Sequence, residues 1–259
     1  MQVGIRRSQL PGDVVLRKSG LVAAMAALIA ACSSATSPPD LTGIWAMQPN
    51  GKALPALNGV GDFEKTAPFT PEARAKLAEY HALVDPTGDT PGAHCVPHGM
   101  PLAVFLGGGY PVEFVQRPEQ LTIIYETHNE VRRVFLDDRK IDDKDVLPSR
   151  GGVSRGRWEG DTLVVETTGL KESIDQATAH SENARIIERY TPFTSDGLKR
   201  LAVEVTIIDP QFYTSPPKLT RTYTQLQGSG MLDYDCNEPD WEDHLDTLRQ
   251  QRKTKQETP

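Results

Sequence analysis

The sequence predicts an all-β protein, an antiparallel up-and-down meander closed into a barrel and flanked by short helices. Three observations carry that reading. From Pro111 onward apolar residues alternate with polar ones at period two, the spacing of a strand with one buried face. Turn residues interrupt the alternation about every ten positions. No strand–helix–strand alternation appears along the chain. Eight or so up-and-down strands close most economically into a barrel, which leaves no exposed edge; a two-sheet sandwich is the alternative.

The elements follow in order. Residues 41–47 (LTGIWAM) form a first short strand. Thr70-Pro71-Glu72 opens a helix, with a capping hydroxyl, a proline at the first helical position and an acid in the first turn. Leu77, Tyr80 and Val84 then line one stripe, and Asp85-Pro86-Thr87-Gly88 ends it. Strands are expected at 112–116 and 121–128 around the turn Arg117-Pro118-Glu119, and at 131–136 before Asp137-Asp138-Arg139. Residues 156–167 read as two strands around Glu159-Gly160-Asp161, where Gly160 supplies a positive φ and Asp161 closes the hairpin. Three more strands span 185–191, 201–208 and 220–226, and a last helix spans 241–252.

The chain has 259 residues, 38% hydrophobic and 24% charged, enough apolar material for a core and unlike a disordered chain. Its formal charge of −7 argues against nucleic acid as a partner, because phosphate neutralisation needs a concentrated basic face. The one long apolar run, residues 21–31, falls well short of the roughly 20 residues that a membrane-spanning helix needs.

Arg17 and Lys18 precede that run, and small residues lead from it to Cys32, which together form a secretory signal. Residues 29–32 (IAAC) resemble a bacterial lipobox, which implies cleavage before Cys32 and acylation of its sulfur and amine. An ordinary signal peptide with an incidental cysteine is the alternative. Ser33, standing where an Asp would retain the protein, implies the periplasmic face of the outer membrane. Residues 1–31 are then a lipoprotein signal peptide, 32–40 (CSSATSPPD) a small polar tether, and 41–259 one domain. The removed piece holds four basic residues and one acid, leaving 24 basic and 34 acidic side chains, a net −10. Such a chain repels anionic headgroups, so the membrane is expected as a partner through acyl chains alone.

With Cys32 lipidated, Cys95 and Cys236 remain in an oxidising compartment, and one disulfide between them is expected. A metal site is the rival, since residues 94–98 (HCVPH) place two histidines beside Cys95. No second close pair of ligands completes tetrahedral spacing, and no metal site is expected.

Residues 158–168 (WEGDTLVVETT), Ser181-Glu182-Asn183 with Glu188-Arg189, Asp209-Pro210 and Tyr234-Asp235-Cys236 resemble a large family of secreted bacterial proteins. That family carries an R-G-x-W-E-G-D-[ST]-L-V-V-[DE]-T core. Cys95, Gly99 and Pro101 match its early Cys followed by Gly and Pro. The likeness spans about residues 41–238, and Pro239-Asp240-Trp241 departs from the small or polar run usual there. It implies export and, from the general look of the family, a lipocalin-like barrel. It supplies no activity.

Polar residues on strands form the candidate site. Glu126, His128, Glu130 and Arg132 share parity, opposite to Leu121, Ile123 and Tyr125, so on a straight strand they line one face. Glu188 shares a face with Ile186 and Tyr190. Glu126, Arg132, Glu182, Glu188, Arg189 and Asp209 also fall on the motif positions of the resemblance. A solvated strand face is the ordinary explanation of such charges; a polar-lined cavity is the functional one. In the second reading Glu126 or Glu188 is the catalytic base, raised toward neutral pH between apolar neighbours. His180 is the catalytic acid at the mouth. Arg132 and Arg189 bind substrate by its developing negative charge, with Asp209 near the rim. Ser181 lacks a Gly-x-Ser-x-Gly elbow and caps a turn instead. Gly107-Gly108-Gly109 lacks the lysine and helix of a phosphate loop.

This set needs no cofactor. It suits acid–base chemistry of lyase, isomerase or hydrolase type on a small organic molecule. A non-catalytic lipoprotein that holds a small ligand in the barrel is the other class. The direction in which Glu126, Arg132 and Glu188 point separates the two.

Overall fold

Nine strands hydrogen-bond in sequence order into a closed barrel, as the alternation predicts. They are β1 (Gly43–Met47), β2 (Val112–Arg117), β3 (Gln120–Tyr125), β4 (Glu130–Phe135), β5 (Val153–Glu159), β6 (Thr162–Thr168), β7 (Arg185–Ser195), β8 (Leu198–Ile208) and β9 (Lys218–Gln225). The structure, a computed structural model, describes residues 37–47, 60–105, 110–139, 141, 143–234 and 241–257. Cys32 and the signal segment, Gly107-Gly108-Gly109 and Cys236 lie outside the described residues.

Every neighbouring pair is antiparallel except β4 and β5, whose parallel register sets Val134 beside Ser154 and Phe135 beside Arg155. The expected antiparallel meander is therefore mixed at one boundary. A parallel neighbour requires a long crossover rather than a tight turn, and residues 136–152 supply it. Gly152 delivers the chain into β5 at φ 61, and a Cβ there would stand 2.5 Å from the carbonyl oxygen of Thr168, so the position demands glycine. The barrel closes where Trp45, Ala46 and Met47 face Gln225, Thr224 and Tyr223.

Alternate side chains fill the interior. Phe114, Leu121, Ile123, Val134, Leu163, Val165, Ile186, Val203, Val205 and Ile207 are all buried in one core. Removing this apolar surface from water is the main favourable term in folding. Met100, Ala103, Val104 and Phe105 join the same core, and the Tyr223 hydroxyl donates to the Val104 carbonyl at 2.6 Å. Residues 100–105 thus pack into the barrel core.

β3 ends at Tyr125, three residues before the expected His128. A single 3-10 turn at Thr127–Asn129 reverses the chain, with His128 and Asn129 both left-handed, at φ 60 and 48. The reversal pairs Ile123 with Arg132, so both point inward. Glu126 and His128 lie on the turn, and the straight-strand parity argument does not hold for them. The β5–β6 hairpin does follow its turn chemistry, with Gly160 at φ 60.

Among the described residues three α-helices accompany the barrel, α1 (Val60–Thr66), α2 (Pro71–Val84) and α3 (Trp241–Glu257). Thr70 caps α2 by accepting from the Ala73 amide at 3.2 Å, ahead of Pro71. Ala73, Leu77, Tyr80 and Val84 form its buried stripe. Leu245 of α3 completes a small second core with Tyr80 and Val84. Among the described residues no helix is long and apolar enough to cross a membrane.

Candidate functional site

Arg132 and Glu188 meet inside the barrel. Arg132 comes from β4, and β5, β6 and β7 present Ser154, Thr167 and Glu188 to it in adjacent register. Its Nη1 donates to Glu188 Oε1 at 2.9 Å, and Nη2 donates to Oε2 in a second, shorter contact. Its Nε donates to Ser154 Oγ at 2.9 Å and Nη2 to Thr167 Oγ1 at 2.8 Å. The Tyr190 hydroxyl adds a bond to Glu188 Oε1 at 2.7 Å. Burial opposes the guanidinium charge, but the carboxylate beside it more than offsets this and keeps Arg132 protonated well above its ordinary range. Burial likewise raises the Tyr190 hydroxyl. The side chains are 5% and 0% exposed, so the pair is sealed in the core. A buried pair survives only when its remaining hydrogen-bonding groups are satisfied, and here they are.

The other expected site residues do not join this pair. Arg189 follows Glu188 on β7 and therefore points the other way, where it pairs with Glu159 at 2.9 Å on the outer surface. Glu126 is buried on the β3–β4 turn, and its Oε2 accepts from the Leu232 amide at 2.7 Å. His180 is fully buried rather than at a mouth, with Nδ1 3.0 Å from the Ser181 carbonyl and Nε2 3.0 Å from the Met100 carbonyl. Burial lowers its pKa, and a neutral ring donates to one of these carbonyls. Asp209 is buried just past the end of β8. It accepts from the Ser181 amide at 2.7 Å, the Ser181 hydroxyl at 2.9 Å and the Gln211 amide at 3.2 Å. Ser181 and Asp209 thereby hold two loops together.

A different cluster occupies the end of the barrel beside the β3–β4 turn. His98, Tyr110, Tyr125, Thr127, Glu130 and Tyr223 line a cavity of about 10 Å³ there, room for about one water molecule. The His98 and His128 rings meet edge to face at 5.0 Å. Tyr234 lies 5.1 Å from His128 and 5.5 Å from Tyr110, building an aromatic rim. Asn129 ties down that segment by donating to the Tyr234 carbonyl at 2.8 Å. His98 is held from the residues after it. The Gly99 amide donates to both Glu130 oxygens, at 3.1 and 3.2 Å, and the Met100 amide donates to the Arg150 carbonyl at 2.8 Å.

Two ionisations in this cavity are displaced in opposite directions. Burial, helped by His128 and Arg150, lowers His98 to about 4, so its imidazole is neutral at pH 7. Burial raises the Glu130 carboxyl. His98, Tyr110, Tyr223 and Tyr234 were absent from the site expected from sequence. His98 was signalled only by the HCVPH run, weighed there as a metal motif, and Tyr234 only by the Tyr234-Asp235-Cys236 motif of the resemblance.

A second space lies between α2 and α3, a surface groove of about 590 Å³. Lys76, Arg249, Arg252 and Lys253 stand around Tyr80, Leu83 and Ile174, with Glu79 and Glu172 as its acids. Comparison of the chain with protein-family models, curated proteins and solved structures found no match.

Proposed function

We propose that the protein is an exported, lipid-anchored barrel that acts on a small organic molecule by cofactor-independent acid–base chemistry at the His98–Glu130 end. The carrying observation is that one cavity holds a neutral imidazole and a carboxyl raised by burial. Both shifts favour the uncharged form, and titratable groups perturbed by burial in a cleft are candidates for acid and base roles. His98 is the base, Glu130 holds the His98 segment in place through the Gly99 amide, and Tyr110, His128 and Tyr234 are the rim against which substrate lies. Left-handed backbone at His128 and Asn129 supports the reading, because strain of this kind collects at functional sites. The sealed Arg132–Glu188 pair is a strut beneath the site.

Turnover of a panel of small esters, enols and β-hydroxy acids tests the proposal. His98→Gln should lose it by about 10²-fold or more, the usual worth of a general base, with the fold intact by circular dichroism. Turnover per folded molecule equal to wild type removes His98 from the mechanism. An acyl mass on Cys32 in the membrane fraction tests the anchor, and a linked Cys95–Cys236 peptide tests the disulfide. Cys95 suits such a bridge, being buried at the end of a 3-10 turn.

A binding role is the second reading, and the groove favours it. Its volume, its apolar floor and its excess of cations over acids, four to two, suit an amphipathic anion. Co-purified anion identified by mass spectrometry and lost in Arg252→Glu would support it.

A further inference from the structure

We propose that Asp89, His94 and His244 form a binding site for a divalent transition-metal ion, of which zinc is the best match. Asp89 follows α2, His94 ends the 3-10 turn Pro91–His94, and His244 lies in the first turn of α3. Asp89 and His244 are 155 residues apart in sequence, yet one donor atom from each of the three side chains lies within 4.8 Å of the others. His94 Nε2 stands 3.2 Å from Asp89 Oδ1, and His244 Nε2 stands 2.7 Å from Asp89 Oδ2. The two imidazoles lie beside one another, with centroids 4.2 Å apart and planes tilted by 32°. Two nitrogens and a carboxylate from three separate segments therefore come within 4.8 Å of one another. Tetrahedral ligands at about 2.0–2.2 Å from zinc stand roughly 3.3 Å from each other, so small side-chain rotations complete the set.

The donor chemistry selects the ion. Imidazole nitrogens with one carboxylate suit zinc and its neighbours, whereas calcium and magnesium take oxygen sets. The three side chains are 16 to 28% exposed, so an ion reaches them and water fills the remaining position. Three protein ligands with one open position is the pattern of zinc sites that activate water. Each imidazole gives its Nε2 lone pair to the metal and keeps one proton, on Nδ1. A doubly protonated ring releases its Nε2 proton to solvent, so affinity falls in acid.

A metal-free clamp, with Asp89 accepting from both rings, is the competing account. The zinc affinities of the ligand variants separate the two accounts. Because His244 adjoins the core residue Leu245, the ion would also fasten α3 to the segment that follows α2.

The full chain, stripped with EDTA, is titrated with zinc chloride by calorimetry and then heated with and without the ion. One equivalent should bind, raising the melting temperature, and magnesium chloride should give no heat. His94→Ala and His244→Ala should each weaken zinc by about 100-fold or more, beyond the 10–100-fold typical of outer-shell partners. Asp89→Asn keeps the shape of the bridge and should weaken zinc as well, which covers the case in which His244→Ala frees α3. His81→Ala, on α2, should leave zinc affinity unchanged. Wild type that binds no zinc, or zinc binding that survives all three ligand variants, overturns the proposal.

Discussion

Glu188 and Arg189 show how far single residues can be read. Alternation correctly sets Glu188 on the face of Ile186 and Tyr190, and the same rule forbids its neighbour Arg189 from sharing that face. Placing both in one cavity broke the rule that located the first. The partner of Glu188 was not legible, since 56 residues separate it from Arg132 and only the register across β5 and β6 joins them. Arg132→Met leaves Glu188 buried without its counter-charge and should cost about 3–5 kcal/mol in urea unfolding. Adding Glu188→Leu should restore most of that loss; a single-variant cost below about 1 kcal/mol would match a surface pair instead. His98 and His180 both have folded pKa values below the ordinary 6.5. The unfolded chain then binds protons that the folded one refuses. Stability is whole above pH 6.5 and is lost as pH falls toward 4, by up to about 3 kcal/mol for His98. Glu130 acts oppositely, since its raised carboxyl favours the fold in acid. Acid titration of the melting temperature should show a shallower fall in His98→Gln.

Elements were legible wherever a local pattern determines them. Thr70-Pro71-Glu72 starts α2 because cap, proline and acid act within one turn, and the strand cores follow from alternation alone. The reversal after β3 escaped because residues 126–129 hold neither glycine nor proline, and Asn129 alone hints at left-handed backbone. Entry into β5 depends on a position that no period marks. Gly152→Ala combines left-handed strain with contacts at 2.5 Å to the Thr168 carbonyl and 2.9 Å to Thr167. It should cost more than about 2 kcal/mol in denaturant unfolding. Gly160→Ala, with the same sign of φ but open space around it, should cost less.

At the scale of the molecule, strand spacing was enough to predict a closed sheet. The interior was not, because alternation says which residues point inward but not whether the space is full. Closure is uneven. β7 and β8 run together from Arg185–Ile208 to Ser195–Leu198, whereas β1 meets each neighbour over three residues. The β4–β5 seam is paired at only two positions, but β4 is held by β3 over six, so β1, short on both sides, is the strand expected to open first. Hydrogen exchange followed by mass spectrometry should show β1 amides exchanging before those of β7 and β8; equal protection would mean that the barrel opens as one unit.

The parallel boundary between β4 and β5 follows from counting. Around a closed ring, chain direction must return to its starting sense, so the number of reversals must be even. Nine strands make nine boundaries, an odd number, and at least one must fail to reverse. The crossover at 136–152 is thus an orientation defect that this ring can relocate but never remove. An eight-stranded derivative would carry no such obligation, and there a hairpin could replace the long loop.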